Sequence, residues 1–284
     1  MNLQDRLSKS RYMAGLQCHR RLYLAVHHRE LATPPSPETE ARFAAGHTVG
    51  DLAQARFANG VLVAEDYMHH REAVAATRAL VEQGTADIFE AAFTHDNIKV
   101  RVDVLHRLEQ GDWELIEVKS TGGYKAESHL PDVGVQLHVL LGCGIDVRKV
   151  SLMHLDKTYV YPGGAYDPQR ILASTDVTTE AFEYAQTVTP LVAEMMQVLG
   201  LTEPPEPDGS VRCTRPYECE FLAWCTRDEE RPDYVGVPAR ANEAILKCID
   251  DLEFPLLFVD FETLNPGLPL FPGTSPFQMM KVQW

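Results

Sequence analysis

The sequence predicts an α/β or α+β domain built on a mixed central sheet flanked by helices. Two observations carry that expectation. Helix-spaced apolar residues flank a block of three strand-like runs between residues 87 and 119, and "EQGD" between the second and third runs reads as a hairpin turn. The totals agree: 284 residues, 45% hydrophobic and 24% charged, make a globular composition sufficient for one good domain or two modest ones.

In order, residues 10–31 carry apolar side chains at Tyr12, Met13, Leu16, Leu22, Tyr23 and Val26 and read as a helix. "TPPSPETE" breaks it. Ser36 as N-cap and Pro37 as first helical residue then start a second helix running to about Ala58. "GVLVAED" reads as a short strand and 69–84 as a helix. "DIFEAAF", "IKVRVDVLHRL" and "WELIEVKS" are β-branched and aromatic strands. Residues 130–142 read as a helix, "VRKVSLMHLDKTYVY" as one or two strands, and 178–199 as a helix interrupted at Pro190. A Pro-rich loop, a cysteine-bearing segment, a linker, a short helix near 239–250 and the strand-like "PLLFVDFET" complete the chain.

Several classes are disfavoured. No apolar run approaches the roughly 20 residues of a membrane span, and "MNLQDRLSKSRY" lacks a signal-peptide core. The expected location is cytoplasmic, with no membrane partner. A net charge of −15 argues against a general nucleic-acid binder. Residues 1–35 run the other way, with Arg6, Lys9, Arg11, Arg20, Arg21 and Arg29 against Asp5 and Glu30, so one end could present a basic face.

In "WELIEVKS" Trp113, Leu115, Glu117 and Lys119 share one strand face. "E-x-K" alone also describes a surface ion pair. Beside a second carboxylate, however, it suits metal-assisted phosphodiester cleavage: carboxylates hold Mg²⁺ or Mn²⁺, and a lysine neutralises developing charge. Asp103 on the preceding strand is that second acid. An odd number of loop residues is needed to put both acids on one face. Three, Gln110 to Asp112, would set Asp103 opposite Lys119.

These motifs resemble the PD-(D/E)XK nuclease superfamily, in its RecB-like branch with an iron–sulfur cluster. The matching pieces are "GHTVG" with His47, "FEAAF" with Glu90, "RVDVL" with Asp103, "EVKS" with Glu117 and Lys119, and "GVQLHVLL" with Gln136, in the family's order. The resemblance implies a restriction-endonuclease-like core in which His47, Asp103, Glu117 and the Val118 carbonyl ligate the metal. Lys119 would be catalytic, and Gln136 would sit near the substrate backbone. Leu140 stands where the family often has a tyrosine.

Six cysteines in a chain expected to be cytoplasmic suggest metal or redox chemistry rather than disulfides. Cys213, Cys219 and Cys225 are spaced closely enough to converge on one centre, a 4Fe-4S cluster or, alternatively, Zn²⁺. A fourth thiolate must come from Cys18, Cys143 or Cys248. The resemblance selects Cys18, in "GLQCHRRLYL", which would staple the N-terminal helix to the end of the core. Cys143 and Cys248 read as small buried hydrophobes.

"LLFVDFETLNP" puts Asp260 and Glu262 on one strand face. This resembles the first motif of DEDD-type exonucleases, here as a truncated start, with a tail strand that could pair with another chain. The expected organisation is a nuclease domain over 1–230, a linker with a short helix over 231–254, and the exonuclease-like start over 255–284. The function expected is a metal-dependent deoxyribonuclease acting on single-stranded or end-containing DNA. Protein partners in a repair or defence complex belong to the same expectation. The alternative is a non-catalytic nucleic-acid-binding or assembly module that keeps the fold.

Overall fold

The computed structural model describes residues 7–207, 213–215, 217–228 and 262–282. Its centre is a seven-stranded mixed sheet. In chain order the strands are β1 (Leu7–Ser8), β2 (Val61–Leu62), β3 (Asp87–His95), β4 (Ile98–Arg107), β5 (Trp113–Lys119), β6 (Val147–Leu155) and β7 (Leu172–Asp176). Their order across the sheet is β2-β3-β4-β5-β6-β7, with β1 paired to β4. β3–β4, β4–β5 and β6–β7 are antiparallel, whereas β1–β4, β2–β3 and β5–β6 are parallel.

Two hairpins set the registers. Asp96 and Asn97, at φ 49° and 63°, make the two-residue turn between β3 and β4, where His95 pairs Ile98. Five residues, Leu108–Asp112, separate β4 from β5, and the outer two stay bonded through Leu108 N to Asp112 O at 2.8 Å. The loop is odd, as a shared face requires, but it is not the Gln110–Asp112 loop. Arg107 pairs Trp113 and Val104 pairs Ile116. One step further, this register sets Asp103 opposite Glu117 rather than Lys119.

Helices α1 (Lys9–Gln17), α2 (His19–His27), α5 (Ala126–Gly142), α7 (Thr178–Ala185) and α8 (Val188–Leu199) share the larger apolar core with the sheet, through Tyr12, Leu22, Leu115, Leu137, Leu152 and Val192. Helix α4 (His70–Glu82) joins this core through Ala73 beside β3. Helix α3 (Pro37–Ala55) contributes to a second core of Val49, Ala53, Phe89, Val104, Ile116 and Met153. Ser36 caps it, its Oγ accepting from Thr39 N at 3.3 Å, with Pro37 in the first turn. Helix α6 (Pro168–Ile171) is a single turn leading into β7.

Several expectations are corrected. The helix over 10–31 breaks at Cys18, whose extended backbone (φ −164°, ψ 128°) ends α1 and starts α2. The break within 178–199 falls at Gln186–Thr187, and Pro190 lies in the first turn of α8, where no intrahelical N–H is lost. Cys143 is exposed, because α5 ends at Gly142, and its Sγ donates to Thr94 O at 3.4 Å. Arg20 and Arg21 do not form an open basic face. Arg20 donates to Pro205 O at 2.5 Å, and Arg21 pairs with Glu220 at 2.7 Å.

The tail strand β8 (Glu262–Leu264) pairs with the chain's own β9 (Met280–Val282). The loop between them returns to the second core through Leu268 and Phe277, with Tyr161 N bonding Thr274 O at 2.9 Å. The expected short helix near 239–250, the whole of the 231–254 linker, Cys248 and Asp260 lie outside the described residues.

Candidate active site

The site is a fork in the sheet. β4 pairs with β5 at Val104–Arg107, and with β1 at Ile98–Lys99. Between those stretches the ladder opens, and Asp103 and Glu117 stand in the opening. The departing β5 would leave a backbone donor unpaired, and Asp103 takes it: Val118 N donates to Asp103 Oδ2 at 2.7 Å.

Glu117 is 2% exposed, so it is no surface ion pair. A buried carboxylate needs several partners, and three elements supply them. Lys119 from β5 lies 2.7 Å from Oε1. Lys9, the first residue of α1, lies 2.9 Å from Oε1 and 3.2 Å from Oε2. Gln136 from α5 donates to Oε2 at 2.7 Å. One helical turn before Gln136, Asp132 pairs with Lys9 at 3.2 Å and with Lys119.

Electrostatics separate the two acids. Burial and the Glu117 charge push the Asp103 carboxyl up to about 8. Burial would also raise Glu117, but Lys119 and Lys9 hold it well below the usual carboxylate range. For Lys119, burial opposes the charge, and Glu117 and Asp132 outweigh burial, keeping the ammonium protonated well above its ordinary range. Lys9 follows the same pattern through Asp132 and Glu117.

His47 is exposed on α3 and lines a cleft of about 290 Å³ with Glu90, Asp103 and Val118. Glu117 is not among the cleft-lining residues, so the expected ligand set is divided between this cleft and the adjoining lysine network. Glu90 stands across from Asp103 by register, yet its φ is 54°, a left-handed value that costs a non-glycine residue on the order of 1 kcal/mol. Arg101 Nε donates to its Oε2 at 3.1 Å. Sequence reasoning placed Lys9 only in a basic N-terminal stretch and assigned no role to Asp132. Asp132 was accessible through its spacing of four from Gln136. Nothing local to Lys9 signals its arrival at Glu117.

Among the described residues, no three His, Cys, Asp or Glu side chains stand together as a metal-binding group. The donor types nevertheless suit a hard divalent cation: an imidazole, carboxylates and a backbone carbonyl. Asp103 and Glu117 also form a carboxylate pair in which burial and then the Glu117 charge raise the Asp103 carboxyl, and a cation beside Asp103 would favour its ionised form.

Cys18, at the α1–α2 junction, lies close enough to Cys225 to raise its thiol pKa, after burial, and Cys225 has the same effect on Cys219. Burial pushes Cys219 up to about 11. Cys219 N bonds Cys213 O at 2.8 Å. The segment is held to the N-terminal helices by buried Phe221 and by Gln17 Nε2 donating to Tyr217 O at 2.8 Å. Thiolates are the donors that iron–sulfur and zinc centres both take. Glu262 is exposed in β8.

Neither a family model nor a curated protein matches the chain. Among solved structures it is similar to the crystal structure of SSO0001, at 14% identity and a TM-score of 0.38, over 78% of this chain and 86% of that one. No helix among the described residues is long and apolar enough to cross a membrane.

Proposed function

We propose that the chain is a divalent-metal-dependent deoxyribonuclease with a PD-(D/E)XK core, acting on single-stranded or end-containing DNA. The observation that carries this reading is the buried convergence of Glu117, Lys119 and Gln136 beside Asp103, where two strands part. His47, Asp103, Glu117 and the Val118 carbonyl would hold Mg²⁺ or Mn²⁺. When bound, the ion polarises the scissile phosphate and makes water a better nucleophile.

The chain's own groups do the rest. Lys119 is held as an ammonium, so it acts as a fixed positive charge beside the developing negative charge and not as a base. Gln136 fixes the Glu117 carboxylate from α5. Asp132 pairs with Lys119 from α5, tying helix to strand. Cys18, Cys213, Cys219 and Cys225 would hold a 4Fe-4S cluster with a stapling role, with Zn²⁺ as the alternative. Mg²⁺-dependent cleavage belongs to residues 1–230 in this reading, and Asp260 with Glu262 would begin a second, DEDD-like unit.

The test is anaerobic purification, followed by assays on 5′- and 3′-labelled single and double strands with Mg²⁺ or Mn²⁺. Lys119→Ala is expected to lower cleavage by orders of magnitude while circular dichroism and metal content persist. A second reading, a non-catalytic assembly module, draws on the two ammonium groups that already neutralise Glu117 and Asp132. Wild-type protein without cleavage under either metal would favour it.

A further inference from the structure

Glu117 makes four polar contacts with three side chains, so both its oxygens are engaged. A carboxylate in that condition can ligate a metal only if a partner leaves. Lys119 and Gln136 belong to the strand and helix that form the walls of the site. Lys9 arrives from a separate segment, at the β1–α1 junction, on a flexible four-carbon stem, and its side chain is 25% exposed. If it leaves, Asp132 keeps Lys119 as its partner.

Charge balance selects the same residue. With the metal bound and the Asp103 proton released to solvent, one ammonium and one divalent cation neutralise three ionised carboxylates, Asp103, Glu117 and Asp132. Keeping the second ammonium would leave an excess positive charge in a buried site, which is costly.

We propose that Lys9 is a built-in, displaceable counter-cation. It occupies Glu117 until a divalent cation takes its place, and so sets how much metal the protein needs. The inference rests on Asp103 and Glu117 being metal ligands.

The experiment is isothermal titration of the full, anaerobically prepared chain with Mn²⁺, for wild type, Lys9→Met, Lys9→Arg and Glu117→Gln. Removing the competing charge is expected to tighten Mn²⁺ binding on the order of tenfold or more in Lys9→Met. Lys9→Arg keeps the charge and stays close to wild type, and Glu117→Gln loses the site. If Lys9→Met does not fold, Lys9→Gln, which keeps a donor to Glu117 without the charge, is read in the same way.

Equal or weaker Mn²⁺ binding without the charge overturns the role of Lys9. It leaves the metal site intact wherever Glu117→Gln still abolishes binding. Binding that Glu117→Gln leaves unchanged overturns the metal-ligand reading, and the Lys9 proposal with it.

Discussion

Asp103 makes the site's cost to the fold measurable. In the native chain its carboxyl holds its proton to about pH 8, because it is buried beside the Glu117 charge, whereas the ordinary value is 3.8. The native state therefore binds more protons than the unfolded state between those two values. The slope of unfolding free energy with pH is negative there, so Asp103 costs nothing below about 3.8, increasingly more as pH rises, and a constant amount above about 8. The Asp103 side chain keeps some contact with solvent, which screens the charge, so the expected cost above about pH 8 is about 2–3 kcal/mol.

Asp103→Asn tests this cleanly. An asparagine oxygen still accepts the Val118 N–H, but it cannot ionise. With divalent cations removed, urea unfolding followed by circular dichroism should show the variant gaining on wild type steadily from pH 5 to 8. The gain should reach about 2 kcal/mol at pH 8 and level off beyond it. Cleavage should be lost in the same variant, a stability gain where function is given up. An advantage that stays flat or shrinks as pH rises would refute the reasoning.

Gln136→Leu removes the amide that donates to buried Glu117 at 2.7 Å. Thermal unfolding should report a loss of about 1.5–3 kcal/mol, and kcat should fall with little change in KM, since the glutamine positions an acid and not the substrate. A loss under about 0.5 kcal/mol would mean that the two lysines satisfy Glu117 unaided. Cys225→Ser should bleach absorbance near 400 nm and lower bound iron in anaerobic preparations, roughly as expected for thiolate-ligated clusters. A colourless wild-type protein containing zinc would instead assign the thiols to the alternative metal.

The strands were legible where their residues carried a strong local signal. "DIFEAAF", "IKVRVDVLHRL" and "WELIEVKS" became β3, β4 and β5, since β-branched and aromatic side chains pack well on a pleated surface. β7, "LASTD", was missed because its polar residues follow an edge strand's exposed side. Residues 10–31 were periodic throughout, and no local rule marks Cys18 as the break. Ser36 and Pro37 did mark the start of α3, because capping is a local interaction.

The site divides along the same line. Asp103, Glu117 and Lys119 lie on adjacent strands, so alternation and an odd loop sufficed to bring the acids to one face. Lys9 is 108 residues from Glu117, and its approach depends on β1 taking the edge that β5 leaves. One inference was nevertheless available beforehand. A carboxylate set in an apolar strand cannot be satisfied by a single lysine two residues along that strand, whose side chain leaves other lone pairs unpaired. The apolar run around Glu117 therefore required further donors from outside the sheet. Helix α5 supplies an amide for that purpose, and the start of α1 supplies a second cation.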